Sequence, residues 1–64
     1  MSEYLLYCMH GSKLVRCDRF EAASDKEAIE EALRRYDGDA AELWRGSYRV
    51  TDFAEESLEA YLLT

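Results

Sequence analysis

The residues of this chain with the most chemical reach are Cys8, His10 and Cys17. A cysteine and a histidine are the minimum for nucleophilic catalysis, and a third group must orient the histidine. Thiolates and an imidazole are also zinc ligands. The spacing C-x-H with one distant cysteine matches none of the strong zinc patterns, and a fourth ligand is not evident. No metal and no other cofactor is therefore expected. Asp18 is expected on the opposite face from Cys8, so it cannot orient the pair. Among the 14 acidic residues, no two stand apart as an acid/base pair. Gly11, Gly38 and Gly46 are isolated turn or cap glycines and build no phosphate loop. A chain this short has no room for a closed small-molecule pocket in one copy. The expectation is a protein that is not an enzyme.

The totals limit what can position such residues. The chain has 64 residues, so residues 1–64 are read as a single small domain. A domain of this size is marginal by itself and often gains a second subunit. Composition is globular: 48% hydrophobic, 34% charged, no proline. The net charge of -6 argues against nucleic acid and anionic membrane surfaces, yet suits a basic protein partner. No apolar run approaches the ~18–20 residues that span a bilayer. The opening "MSEYLLYCMHG" has an early acid and no basic n-region, so no signal peptide is expected and the cytoplasm is the expected location.

Residues 4–10, "YLLYCMH", and the run "LVRCDRFEA" read as a β-hairpin about a Gly11-Ser12 loop. The preferred register puts Cys8 opposite Val15 and Leu6 opposite Cys17. One face then carries Tyr4, Leu6, Cys8, Val15 and Cys17. A one-residue slip would set Leu6 and Cys8 against Asp18 and Arg16 instead. In the preferred register the cysteines are diagonal neighbours, roughly 7–8 Å apart. Reduced core thiols are expected, with a strained redox pair as the alternative.

"SDKEAIEEALRRYDGD" carries the signals of a helix. Ser24 and Glu27 form an S-x-x-E capping box, and Ala28, Ile29, Ala32, Leu33 and Tyr36 make an apolar stripe. Glu30–Arg34 and Glu31–Arg35 are expected i,i+4 pairs. Gly38 suits the left-handed C′ position. "AELWRGSYRV" reads as a second hairpin. An Arg45-Gly46 loop pairs Leu43 with Tyr48, Ala41 with Val50 and Glu42 with Arg49; a Gly46-Ser47 loop is the alternative. The tail "TDFAEESLEAYLLT" reads as a short helix capped by Asp52 with Glu55, with Leu58, Tyr61 and Leu62 as its stripe. No internal repeat is evident.

The second face of the sheet is the feature that core packing leaves over. Leu5, Tyr7, Met9 and Leu14 face one way, and Trp44 can join them, diluted by Arg16 and Asp18. Either the terminal helix or another chain covers this face; periodicity does not separate the two. Trp, Tyr, Met and Arg are the types enriched at interfaces.

The runs "LVRCDRFEA" and "DKEAIEEA…AELWRGSYRV" resemble a group of small bacterial proteins of unknown function. In that group an acidic helix start precedes an "ELWxGxRxV" hairpin. The likeness covers roughly residues 4–50 and implies the same order of elements. It implies no catalytic residues.

The sequence thus predicts an α+β domain of ββαββ order plus a short C-terminal helix, with a mainly antiparallel sheet and the helix on one face. The expected function is protein interaction as a homodimer. Its contact surface is Tyr7, Met9, Trp44, Tyr48, Leu58, Tyr61 and Leu62; Ser24, Glu27, Gly38, Glu42, Gly46 and Arg49 are structural. The alternative is an acidic regulator presenting Asp37, Asp39, Asp52, Glu55 and Glu56 to a basic partner.

Overall fold

A computed structural model describes residues 1–54. Its elements are β1 (Ser2–His10), β2 (Lys13–Ala22), α1 (Asp25–Arg35), β3 (Ala40–Arg45) and β4 (Tyr48–Ala54). They form one four-stranded sheet in the order β2-β1-β3-β4, with every neighbouring pair antiparallel. This is the expected ββαββ fold. The two hairpins meet through β1 and β3, so β2 and β3 run parallel with β1 between them. The helix lies on one face only. The terminal helix expected from residue 52 is overturned at its start, because Asp52 lies within β4. Glu55, Glu56, Leu58, Tyr61 and Leu62 fall outside the described residues. Among the described residues, no helix is long and apolar enough to cross a membrane.

The helix begins where the capping signals place it. Ser24 Oγ accepts from the Glu27 amide at 3.2 Å. Glu27 reaches back one residue further than expected and accepts from the Ala23 amide at 3.3 Å. Such a cap contributes about 1 kcal/mol. Glu31 pairs with Arg35 at 2.6 Å as expected, but it also takes Arg34 at 2.9 Å, the arginine expected to pair with Glu30. Ala28 and Ala32 are fully buried, and their small size lets the helix lie close on the sheet.

Both hairpins depart from the expected registers through a bulge, and the second also through the position of its loop. In the first, His10 faces Lys13 and Met9 faces Leu14; then Val15 is skipped, and Cys8 faces Arg16. In the second, Arg45 faces Tyr48 and Trp44 faces Arg49; then Val50 is skipped, and Leu43 faces Thr51. Each valine is the extra residue of a β-bulge, which moves the rest of its strand to the other face. The slip rejected on the turn-proximal residues is therefore the one adopted, and Leu6 faces Asp18. The loop is Gly46-Ser47, not Arg45-Gly46. Leu43–Tyr48, Ala41–Val50 and Glu42–Arg49 are not pairs.

The gain from each bulge is a phenylalanine. Without it, Arg19 and Glu21 would lie under the helix, and so would Asp52. With it, Phe20, Ala22 and Phe53 turn inward and are buried. Phe20 stacks on Tyr4 with ring centroids 5.9 Å apart. Phe53 meets the Tyr36 ring edge-on at 6.1 Å. Burying one such ring is worth about 1.5–3 kcal/mol, while Val15 stays exposed and Val50 still packs partly against the core.

These coincidences amount to a local repeat that was not expected. Gly11-Ser12-x-x-Val15 and Gly46-Ser47-x-x-Val50 are the same turn-and-bulge unit. Both glycines have positive φ, 62° and 61°, whereas neither serine does. That pattern is the II′ one, which needs glycine first. The middle β1–β3 pair, Tyr7 with Glu42, joins equivalent positions of the two units. The sheet therefore has an approximate two-fold axis through that pair.

Candidate functional site

The face away from the helix is an ordered ladder of three rows across all four strands, with the pair Glu3 and Glu21 beyond them on β1 and β2. One row runs Arg19, Leu5, Trp44, Arg49; the next runs Cys17, Tyr7, Glu42, Asp52; the third runs Leu14, Met9, Ala40, Ala54. The structure thus brings Tyr7, Met9 and Trp44 together with Leu5 and Leu14, as expected. Leu5, Tyr7, Met9 and Trp44 are half-buried, and Leu14 is 55% exposed. A shallow hollow of about 490 Å³ lies among Tyr7, Met9, Leu14, Glu42, Trp44 and Gly46. Its floor is the β1–β3 ladder, and the Trp44 indole forms one wall.

Trp44 is held in place. Its Nε1–H donates to Glu42 Oε1 at 3.0 Å, a contact available because residues two apart on a strand share a face. The indole plane therefore has a fixed orientation above the sheet. Glu42 was expected to pair with Arg49. The Gly46-Ser47 turn pairs Arg49 with Trp44 instead, and the bulge at Val50 then sets Glu42 directly opposite Asp52. Like charges so placed destabilise a sheet. Arg49 is left beside Trp44, and neither Arg49 nor Asp52 has an ion-pair partner among the described residues. At the margin, Arg19 reaches Glu3 at 3.9 Å.

Several expected members lie elsewhere. Tyr48 faces Arg45 on the helix side, 56% exposed, with the Arg45 guanidinium 5.3 Å from its ring centre. Arg45 in turn approaches Asp25 at 3.6 Å, and Asp25 accepts from the Tyr4 hydroxyl at 2.6 Å. That hydrogen bond, with burial, raises the Tyr4 pKa above its ordinary value. Arg16 and Asp18 do not dilute the open face; they lie on the helix side, joined at 3.1 Å. This bond holds the Arg16 pKa above its ordinary value. One Asp18 oxygen is buried without a hydrogen bond among the described residues.

The cysteine–histidine constellation does not assemble. Cys8 is buried under the helix, while Cys17 is exposed on the open face opposite Tyr7. Their shared face belonged to the register without the bulge, so a bond between them within one chain has no path. His10 lies on the Cys8 side and approaches Asp39 at 3.7 Å. Asp39 also accepts from the Gly11 amide, at 2.9 and 3.2 Å from its two oxygens, and ties the first turn to the loop after α1. Gly38 belongs to that loop. The helix ends at Tyr36, so Gly38 lies one position beyond C′. Its φ is +89°, and a side chain there would run into the Met9 carbonyl.

Sequence reasoning missed the parts played here by Cys17, Asp52 and Gly46 on the open face and by Asp39 at its end. The "GSxxV" spacing common to both hairpins is the signal that would have found the first three. Asp39 acts across 28 residues, and no local pattern announces it. A second hollow, of about 590 Å³, lies beside α1 and β2; of its charged groups, Glu31, Arg34 and Arg35 are already paired with one another. Comparison with protein-family models, curated proteins and solved structures finds no match for this chain, so the open face is read from its own geometry.

Proposed function

We propose that this chain is a non-enzymatic protein-interaction module that works as a homodimer through the open face of its sheet. One observation carries the reading: among the described residues, Trp44, Tyr7, Met9, Leu5 and Leu14 share a face that α1 leaves uncovered. Aromatic residues and methionine are enriched at the centres of interfaces, and exposed apolar patches of this kind mark them. A small domain also has reason to share its core with a second copy. Sedimentation equilibrium over a dilution series tests the idea. A dimer mass that falls on dilution is expected, with the Trp44 emission shifting red as the face opens to water. A monomer mass at every concentration would overturn it. The setting proposed is the cytoplasm, where the two thiols on opposite faces would stay reduced. The resemblance to small bacterial proteins is carried forward on the same footing.

A second reading, an acidic regulator of a basic protein, is favoured by the net charge of -6 and by the opposed Glu42 and Asp52. Asp37 and Asp39 would contribute little to it, since they accept from the Gly38 and Gly11 amides. Failure to capture any basic partner at low salt would count against it.

A further inference from the structure

We propose that the second copy docks in one specific offset, in which Arg49 of each protomer lies against Asp52 of its partner. The inference rests on the homodimer reading above and adds the geometry of the interface. Its starting point is the unmet charge on the open face. Arg49 and Asp52 belong to adjacent rows of the ladder: the Gly46-Ser47 turn pairs Arg49 with Trp44, and the bulge at Val50 sets Asp52 opposite Glu42. Among the described residues neither charge finds an ion-pair partner, and a second copy can supply one.

Charge selects among the ways of stacking two copies of this face. A two-fold axis running along the strands, between β1 and β3, would set Arg19 over the partner's Arg49. An axis running across the strands through the row of Tyr7 would set Glu42 over Glu42 and Asp52 over Asp52. An axis across the strands, between the row of Trp44 and the row of Tyr7, removes both clashes. It places Arg49 over Asp52 twice by symmetry, Leu5 over Tyr7, and the indole of Trp44 beside the partner's Tyr7 and Glu42. Such an interface is isologous: each residue meets its counterpart's neighbour and the reverse. Two sheets packed this way lie about 10 Å apart with their strands within about 30°, which preserves the row-on-row match near the axis.

The test uses two full-length variants, Arg49→Asp and Asp52→Arg, alone and mixed. Both positions are exposed, and circular dichroism of each variant checks the fold. Each variant alone should dimerise about tenfold or more weakly than the parent, because it carries only like charges at both contacts. Mixed in equal amounts, they should form a heterodimer of near-parental affinity, since both contacts are then opposite in sign. Net charge predicts otherwise. Asp52→Arg brings the chain two charges closer to neutral and would strengthen self-association if only net charge mattered. A parent that is monomeric throughout defeats the homodimer itself. A dimeric parent whose variants associate as before, or whose mixture does not recover, overturns the offset and leaves the homodimer standing.

Discussion

The indole of Trp44 is pinned to the carboxylate of Glu42, two residues back on the same strand and 3.0 Å away. The bond orients an aromatic ring above a face that the helix does not cover. Replacing Glu42 with Ala should free the ring and broaden and quench its emission, while Glu42→Gln, which keeps an acceptor oxygen, should change the spectrum little. Thermal stability should move by no more than about 1 kcal/mol in either variant, as for a partly exposed hydrogen bond. Identical spectra for the two variants would show that the bond does not hold the indole.

The bulges make a quantitative prediction about stability. Phe20→Ala should cost about 3 kcal/mol or more, because the ring is buried against Tyr4 and under Arg35. Val15→Ala should stay within about 0.5 kcal/mol, because Val15 is exposed. Urea denaturation separates the cases. The reverse order would mean that the register without the bulge is the true one.

The three glycines should not be equivalent. Alanine at Gly11 or Gly46 meets open space and suffers only the cost of a positive φ, about 1 kcal/mol. Alanine at Gly38 carries the same cost and also collides with the Met9 carbonyl. It should destabilise by at least about 2 kcal/mol more, the scale of an overpacked site. Equal losses at the three positions would contradict the close approach of this loop to β1.

Two groups set the direction of the pH response. Hydrogen bonds from Arg35 and then Arg34 hold the Glu31 carboxyl below its ordinary value. Its contribution is therefore present above the unfolded value of about 4.3 and is lost as pH falls through the folded one. Tyr4 acts at the other end. Its raised value means a contribution present below about pH 10 and lost as pH rises through the folded value. Tyrosinate absorbance should show Tyr4 titrating late, and Asp25→Asn should move that step earlier. An unchanged step in Asp25→Asn would remove the assigned cause.

The thiols should differ in reactivity. A thiol reagent should label Cys17 in the native protein and leave Cys8 untouched until unfolding. Mild oxidation should join Cys17 only to another copy. A Cys8–Cys17 linkage recovered from the native protein would restore the shared face that the bulge rules out.

The sequence by itself determined the elements and their order. Capping chemistry at Ser24 and Glu27 and the stripe from Ala28 to Tyr36 act within a few residues, so the helix could be read locally. Gly11-Ser12 placed the first turn, and alternation along "YLLYCMH" already separated Leu5, Tyr7 and Met9 from Tyr4, Leu6 and Cys8. What only the tertiary structure decided is which residues of β2 and β4 face the helix. Near the turns the alternation favours Val15 and Cys17, or Tyr48 and Val50. Phe20 and Phe53 favour the opposite phase, and a bulge lets each strand satisfy the phenylalanine. That choice depends on burial under α1 and on the Tyr4 and Tyr36 rings, contacts made across the fold. The same choice set Asp52 opposite Glu42 and placed Cys17 on the open face. Core packing thereby determined which charges the open face presents, although none of those charges lies in the core.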